Sequence, residues 1–177
     1  MDDQHHDEFL RACSEGNLEL AKQHQEQVSL GTTEFLQDAF VGAISKKQVA
    51  MIDYLLGVCP DDFTSRIPDP VLLQAIDAGS QVYALFIRKD ASAARRSFGH
   101  MGDALALAVM RNDEGLVRLL LDNGASPTES KLFFKPTSDV ARGAQNIDKG
   151  ITKMLNEHES NHREDRGWVA KLKAWMK

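Results

Sequence analysis

The chain has 177 residues, of which 42% are hydrophobic, enough to bury a core. Its formal charge of −5 argues against general affinity for a nucleic-acid backbone, because counterion release needs a concentrated basic surface. Cys13 and Cys59 form no CxxC or metal-ligand spacing, no apolar run approaches a membrane span, and the opening MDDQHHDEF has no secretory core, so a cytoplasmic protein without integral membrane insertion is expected.

In chain order, short apolar helices come in pairs. Ala12, Ala43, Ala75 and Ala108, in FLRACSEG, FVGAISKK, LLQAIDAG and LALAVMRN, are spaced by 31, 32 and 33 residues. Three residues before each stand Phe9, Phe40, Leu72 and Leu105, and one after stand Cys13, Ile44, Ile76 and Val109. A fixed period with matched chemistry marks an internal repeat whose units bury their apolar faces on one another. Five residues before each marker stand Asp7, Asp38, Pro70 and Asp103, residue types that open helices, so the first helices are expected to start there in register.

The second helices follow as LELAKQH, VAMIDYLL, VYALFI and GLVRLLL. The third pair is joined by one residue fewer than the fourth, and Gly124 suits a left-handed C-cap. A fifth unit lies in PTSDVARGAQNIDKGITKMLNEH, with Ala141 a further 33 residues on, Ile151, Met154 and Leu155 in the second helix, and a link about two residues longer.

The fourth unit, LALAVMRNDEGLVRLLLDNGAS, resembles the ankyrin repeat, with departures: Asp103 and Ala104 stand for Thr-Pro, Ala106 for the histidine and Asn112 for the inter-helix glycine. Gly16-Asn17 and Gly79-Ser80 keep something like the family turn. The resemblance implies an all-α, ankyrin-like helical-hairpin solenoid over 1–158, with repeats near 7–33, 38–66, 69–99, 103–131 and 136–158. A C-terminal amphipathic helix over 159–177 is expected to follow.

Solenoid ends need polar caps. Gln23, His24 and Gln25 take positions that are leucines in the fourth unit and read as a solvated face. At the other end Trp168, Leu172 and Trp175 form one helical stripe, either covering the last repeat or offered to a partner or an anionic surface.

The resemblance implies a noncatalytic protein-interaction module, monomeric and without cofactor, that meets another protein through loop tips and first-helix edges. Three expected tips set phenylalanine beside cations: Phe63 with Arg66, Phe98 with Arg95 and Arg96, and Phe133 and Phe134 with Lys131 and Lys135. Aromatic and arginine side chains are the types that anchor interfaces, although a loop phenylalanine can equally pack on the next repeat. The first-helix edge adds Met110 and Arg111 among others.

The rival class is an enzyme or small-molecule binder on the same scaffold. Its local support is His158-Glu159-Ser160-Asn161-His162, an HExxH string, which on a helix sets two imidazoles on one face beside a glutamate, as zinc peptidases require. Ser160 and Asn161 are weak helix formers, and the continuation lacks a further glycine-histidine pattern. A chelating His5-His6 pair is set against a frayed acidic terminus, Cys13 reads as an inert core residue, and Cys59, before Pro60, reads as exposed.

Overall fold

The computed structural model describes residues 2–28, 30, 32–60, 67–132 and 135–161. The fold is all-α, with helices packed in sequential pairs and one two-stranded ribbon. Two compact units are present, Met1–Ala93 and Ala94–Lys177.

The first unit holds α1 (Asp2–Glu15), α2 (Leu18–Gln25), α3 (Thr33–Ser45), α4 (Val49–Val58), α5 (Asp69–Ala78) and α6 (Ser80–Lys89). Helices pair as α1/α2, α3/α4 and α5/α6. First helices also pack on first helices, α1 on α3 and α3 on α5, and second helices on second, α2 on α4 and α4 on α6. Each hairpin therefore covers its neighbour along two layers. Phe9, Cys13, Phe40, Ile44, Leu72 and Ile76, the expected core positions, are all buried, with Ala12, Ala43 and Ala75 at 0% exposure. Alanine there lets helices approach closely.

The second unit holds α7 (Ala104–Met110), α8 (Glu114–Asp122), β1 (Lys131–Leu132), β2 (Lys135–Pro136), α9 (Thr137–Gly143) and α10 (149–161). The pair α7/α8 is the hairpin that the fourth unit predicts, and α9 packs on α7. The expected fifth pair is present too: Ala141, Ile151 and Leu155 are buried, and α10 begins eight residues after Ala141 where α8 begins six after Ala108.

The inter-helix turns are one device used four times. Gly16, Lys47, Gly79 and Asn112, each four residues after a marker alanine, have φ of +75°, +53°, +103° and +53°. In three of them the amide two residues before the second helix's second residue closes the turn on the marker carbonyl: Asn17 N–H on Ala12 O at 2.9 Å, Gln48 on Ala43 at 2.9 Å, and Asp113 on Ala108 at 3.2 Å. Such closures satisfy carbonyls that a helix end leaves without partners. The third turn is one residue shorter, and there Gly79 itself donates to Ala75 O at 3.2 Å.

Neighbouring turns are tied together. Gln48 Nε2 donates to Glu15 O at 3.3 Å in the first unit. In the second, Asn112 Nδ2 donates to Asn146 O at 2.8 Å, and its Oδ1 accepts from Asp148 N–H at 2.9 Å.

The expectation of helix starts in register is corrected at its first two positions. Asp103 does cap α7, accepting from Ala106 N–H at 2.9 Å, and Pro70 lies in the first turn of α5. Asp7 and Asp38, however, sit inside helices, because α1 begins at Asp2 and α3 at Thr33, capped by Thr32. The added turns pack on each other: Phe35 meets His6 edge-on at 4.7 Å and Phe9 at 5.6 Å between ring centroids.

Two further corrections concern the first hairpin. His5 and His6 lie in helix α1 and not in a frayed terminus. Gln23 is exposed, but His24 and Gln25 are half-buried, and His24 faces His5 across the hairpin with Nδ1 atoms 3.0 Å apart.

Candidate functional site

A cleft of about 580 Å³ lies within the second unit, lined by Arg95, Ser97, His100, Asp103, Glu129 and Lys131 among others. That volume falls in the range of ligand pockets, roughly 300–1,000 Å³. Its walls are two loops that precede first helices.

One wall is a tight hairpin before α7. Ser97 and Asp103 form an antiparallel bridge, Phe98 N–H donates to Gly102 O at 2.8 Å, and Ala104 N–H donates to Arg96 O at 3.0 Å. Gly102 allows the turn with φ of +93°, and a Cβ there would lie 3.1 Å from both Ala106 Cβ and Lys131 O. No larger residue fits this approach of one loop to the other without displacement. The other wall is the ribbon before α9, paired Lys131 with Pro136 and Leu132 with Lys135.

A hydrogen-bond chain pins the two walls. Ser130 Oγ donates to Asp103 Oδ1 at 2.6 Å and lies 2.7 Å from Thr137 Oγ1. Because the Ser130 hydroxyl spends its single proton on the carboxylate, Thr137 is the donor to Ser130. Ser130 and Thr137 are buried, so the hydrogen-bond chain holds the two loops in place.

The expected partner-binding residues divide. Arg95 is exposed and lines the cleft, while Arg96 is half-buried with its carbonyl in the hairpin. Phe98 is corrected: only 5% of it is exposed, so it packs and does not project. Exposed Ser97 and Gly99 flank it in the hairpin. Met110, 49% exposed, and Arg111, exposed with Nη1 on Leu107 O at 3.3 Å, stand at the end of α7 and are not among the cleft's lining residues. Phe63, Arg66, Phe133, Phe134, His162, Trp168, Leu172 and Trp175 lie outside the described residues. Sequence reading missed His100 and Glu129 as site residues, although both stand in loop strings between repeats, where such a cleft forms.

The HExxH string is helical through Asn161, so the weak helix formers do not break it. Its glutamate is engaged elsewhere: Glu159 is buried and pairs with Arg142 Nη2. Arg142 also donates through Nε to Asn156 Oδ1 at 2.8 Å and through Nη1 to Asp139 Oδ1 at 2.5 Å. A carboxylate held this way is a poor general base, which must reach a proton in the substrate. Among the described residues no group of three or more His, Cys, Asp or Glu side chains is placed to hold a metal ion.

Both cysteines are free and buried, which corrects the expectation of an exposed Cys59. Burial, with the nearby Cys59 adding to it, pushes the Cys13 thiol up to about 12. Burial pushes Cys59 up to about 12 as well, against a smaller opposing pull from Lys89. Tyr54 is also raised, by burial and then by Cys13, so the three groups are electrostatic neighbours.

Among the described residues no helix is long and apolar enough to cross a membrane. The molecule is an all-α protein of paired helices with an inter-loop cleft. No family model matches the chain, and no curated protein matches it.

Proposed function

We propose that the chain is a noncatalytic protein-interaction module, an ankyrin-like helical-hairpin solenoid that presents loop tips and first-helix edges to a cytoplasmic partner protein. The observation that carries this reading is the cleft between two paired segments one repeat apart, Ser97 with Asp103 and Lys131–Leu132 with Lys135–Pro136, each next to a first helix. Rigid presentation reduces the ordering cost of association. Supporting the scaffold are the left-handed turn residues at the alanine period and the turn-to-turn hydrogen bonds at separations of 33, 34 and 36 residues. In this reading the Trp168, Leu172 and Trp175 stripe covers the last repeat or adds a secondary contact, and the protein works as a monomer.

The test compares proteins captured from cell extract by the full chain and by an Arg95→Glu/Lys131→Glu variant of unchanged helical content. The reading expects a stoichiometric partner that the variant loses, with direct binding then reproduced from purified components. Identical capture by both proteins would remove the cleft from the interaction.

A further inference from the structure

The cleft's lining carries two cations, Arg95 and Lys131, and two carboxylates, Asp103 and Glu129, and which of these are already engaged bears on what a partner must bring. Building on the interaction reading above, we propose that the cleft accepts an extended acidic segment of the partner protein, whose aspartate or glutamate carboxylates are received by Arg95 and Lys131.

The first argument is the distribution of charge. Residues 1–93 contain seven Lys and Arg against fifteen Asp and Glu, net −8, whereas residues 94–161 contain nine of each and are neutral. The acidic excess that would repel a carboxylate-rich ligand therefore belongs to the first unit's sequence and not to the part of the second that builds the cleft.

The second argument is which charges are already used. In the second unit Arg118 pairs with Glu114, Arg142 with Asp139 and Glu159, and Lys153 with Glu157. Arg95 and Lys131, both exposed, pair with no acid among the described residues. Asp103 lines the cleft too, but its carboxylate already accepts from Ala106 N–H and Ser130 Oγ. Of the exposed lining groups, the one carboxylate, Glu129, shares the cleft with the cations Arg95 and Lys131 and with His100.

The third argument concerns shape and selectivity. A guanidinium offers a planar fork that matches a carboxylate, and a lysine ammonium adds a second charge at a different point. Two cations placed on different loops suit side chains spaced along an extended peptide. Ser97 and Ser126 supply hydroxyls at the same cleft for its backbone.

The experiment measures fluorescence anisotropy of labelled deca-glutamate, deca-lysine and a single-stranded oligonucleotide against the full chain. Deca-glutamate is expected to bind, more weakly as salt rises, and Arg95→Glu/Lys131→Glu is expected to weaken it roughly tenfold or more. Arg118→Ala, outside the cleft, should leave it unchanged. No binding of deca-glutamate, tighter binding of deca-lysine, equal binding of the oligonucleotide, or indifference to the double variant each overturns the proposal. If the captured partner is still lost in the double variant while deca-glutamate fails to bind, the acidic assignment falls and the interaction reading stands.

Discussion

His5 and His24 meet nitrogen to nitrogen, with Nδ1 atoms 3.0 Å apart and ring centroids 5.2 Å apart. The centroid separation is close to the nitrogen separation plus two ring radii, so the nitrogens point at each other at hydrogen-bonding distance. This bond links α1 to α2 in the outermost hairpin, whose second helix keeps one fully buried side chain, Ala21. His24→Ala is expected to cost about 0.5–1.5 kcal/mol in urea unfolding. In a double-mutant cycle with His5→Ala most of that loss should appear as coupling; strictly additive effects would show that the rings do not interact.

The turn residues give a second expectation. Lys47 adopts φ of +53° at the position that glycine fills in Gly16 and Gly79. A left-handed conformation costs a residue with a Cβ roughly 1–2 kcal/mol relative to glycine. Lys47→Gly should therefore raise stability by up to about 1 kcal/mol despite the added freedom of the unfolded chain. A loss of stability would mean that the lysine side chain holds the turn by contacts that outweigh its backbone strain.

Much of the scaffold was legible in the sequence because it rests on side chains repeated at one spacing. The alanines at 12, 43, 75 and 108 are fully buried, their flanking apolar partners are buried, and the one-residue-shorter third turn appears where expected. What the sequence hid depends on contacts between distant segments. Lys47 carries no local signal for a glycine-like turn, whereas Asn112, a residue type that tolerates left-handed backbone, stands at the inter-helix glycine position. Phe35 extended α3 by meeting His6 and Phe9, which no capping residue announces. Phe98 looked like an interface anchor by residue type, but its side of the loop was set by the hairpin closing on Gly102. The cleft was half legible: the loops were identified, whereas the pairing of Asp103 with Ser130, 27 residues away, decides which charges remain available.

Gly102 and Gly57 form a contrasting pair. Gly102→Ala places a methyl 3.1 Å from Lys131 O in a left-handed conformation and should cost about 1–3 kcal/mol while distorting the cleft. Gly57 is an exposed position inside α4 with no atom within 4 Å of a built Cβ. Gly57→Ala should stabilise by about 0.5–1 kcal/mol. Thermal unfolding of both variants checks the pair, and equal effects would refute the close approach of the two loops.

Cys13 and Cys59 give the pH expectation. Both thiols are raised from 9.0 to about 12 in the folded chain, so folding favours the protonated form. Their contribution to stability is complete below about pH 9 and declines as pH rises from about 9 through 12, because the unfolded chain releases those protons first. The thiolate is the reactive species. At pH 8 neither cysteine should react with a thiol reagent on the timescale of a free cysteine, and both should react once denaturant unfolds the chain. Fast labelling of either in the native protein would show that it is accessible, and the burial argument for that residue would fail.

The Arg142–Glu159 pair separates a structural role for the HExxH string from a metal-dependent one. Arg142 reaches Asp139, Asn156 and Glu159 at once, joining α9 to α10, and Glu159 is the buried partner. Removing one side of such a pair leaves the other poorly satisfied. Arg142→Ala and Glu159→Gln should each destabilise the chain by about 1–3 kcal/mol, with non-additive effects in the double variant. A zinc peptidase site predicts something else: stoichiometric zinc in the purified protein, lost in His158→Ala, with little stability change on replacing Arg142. Measuring zinc content and urea unfolding on the same variants distinguishes the two. Stoichiometric metal that disappears with His158 would restore the enzyme reading, because the glutamate would then have to exchange its arginine for a metal-bound water.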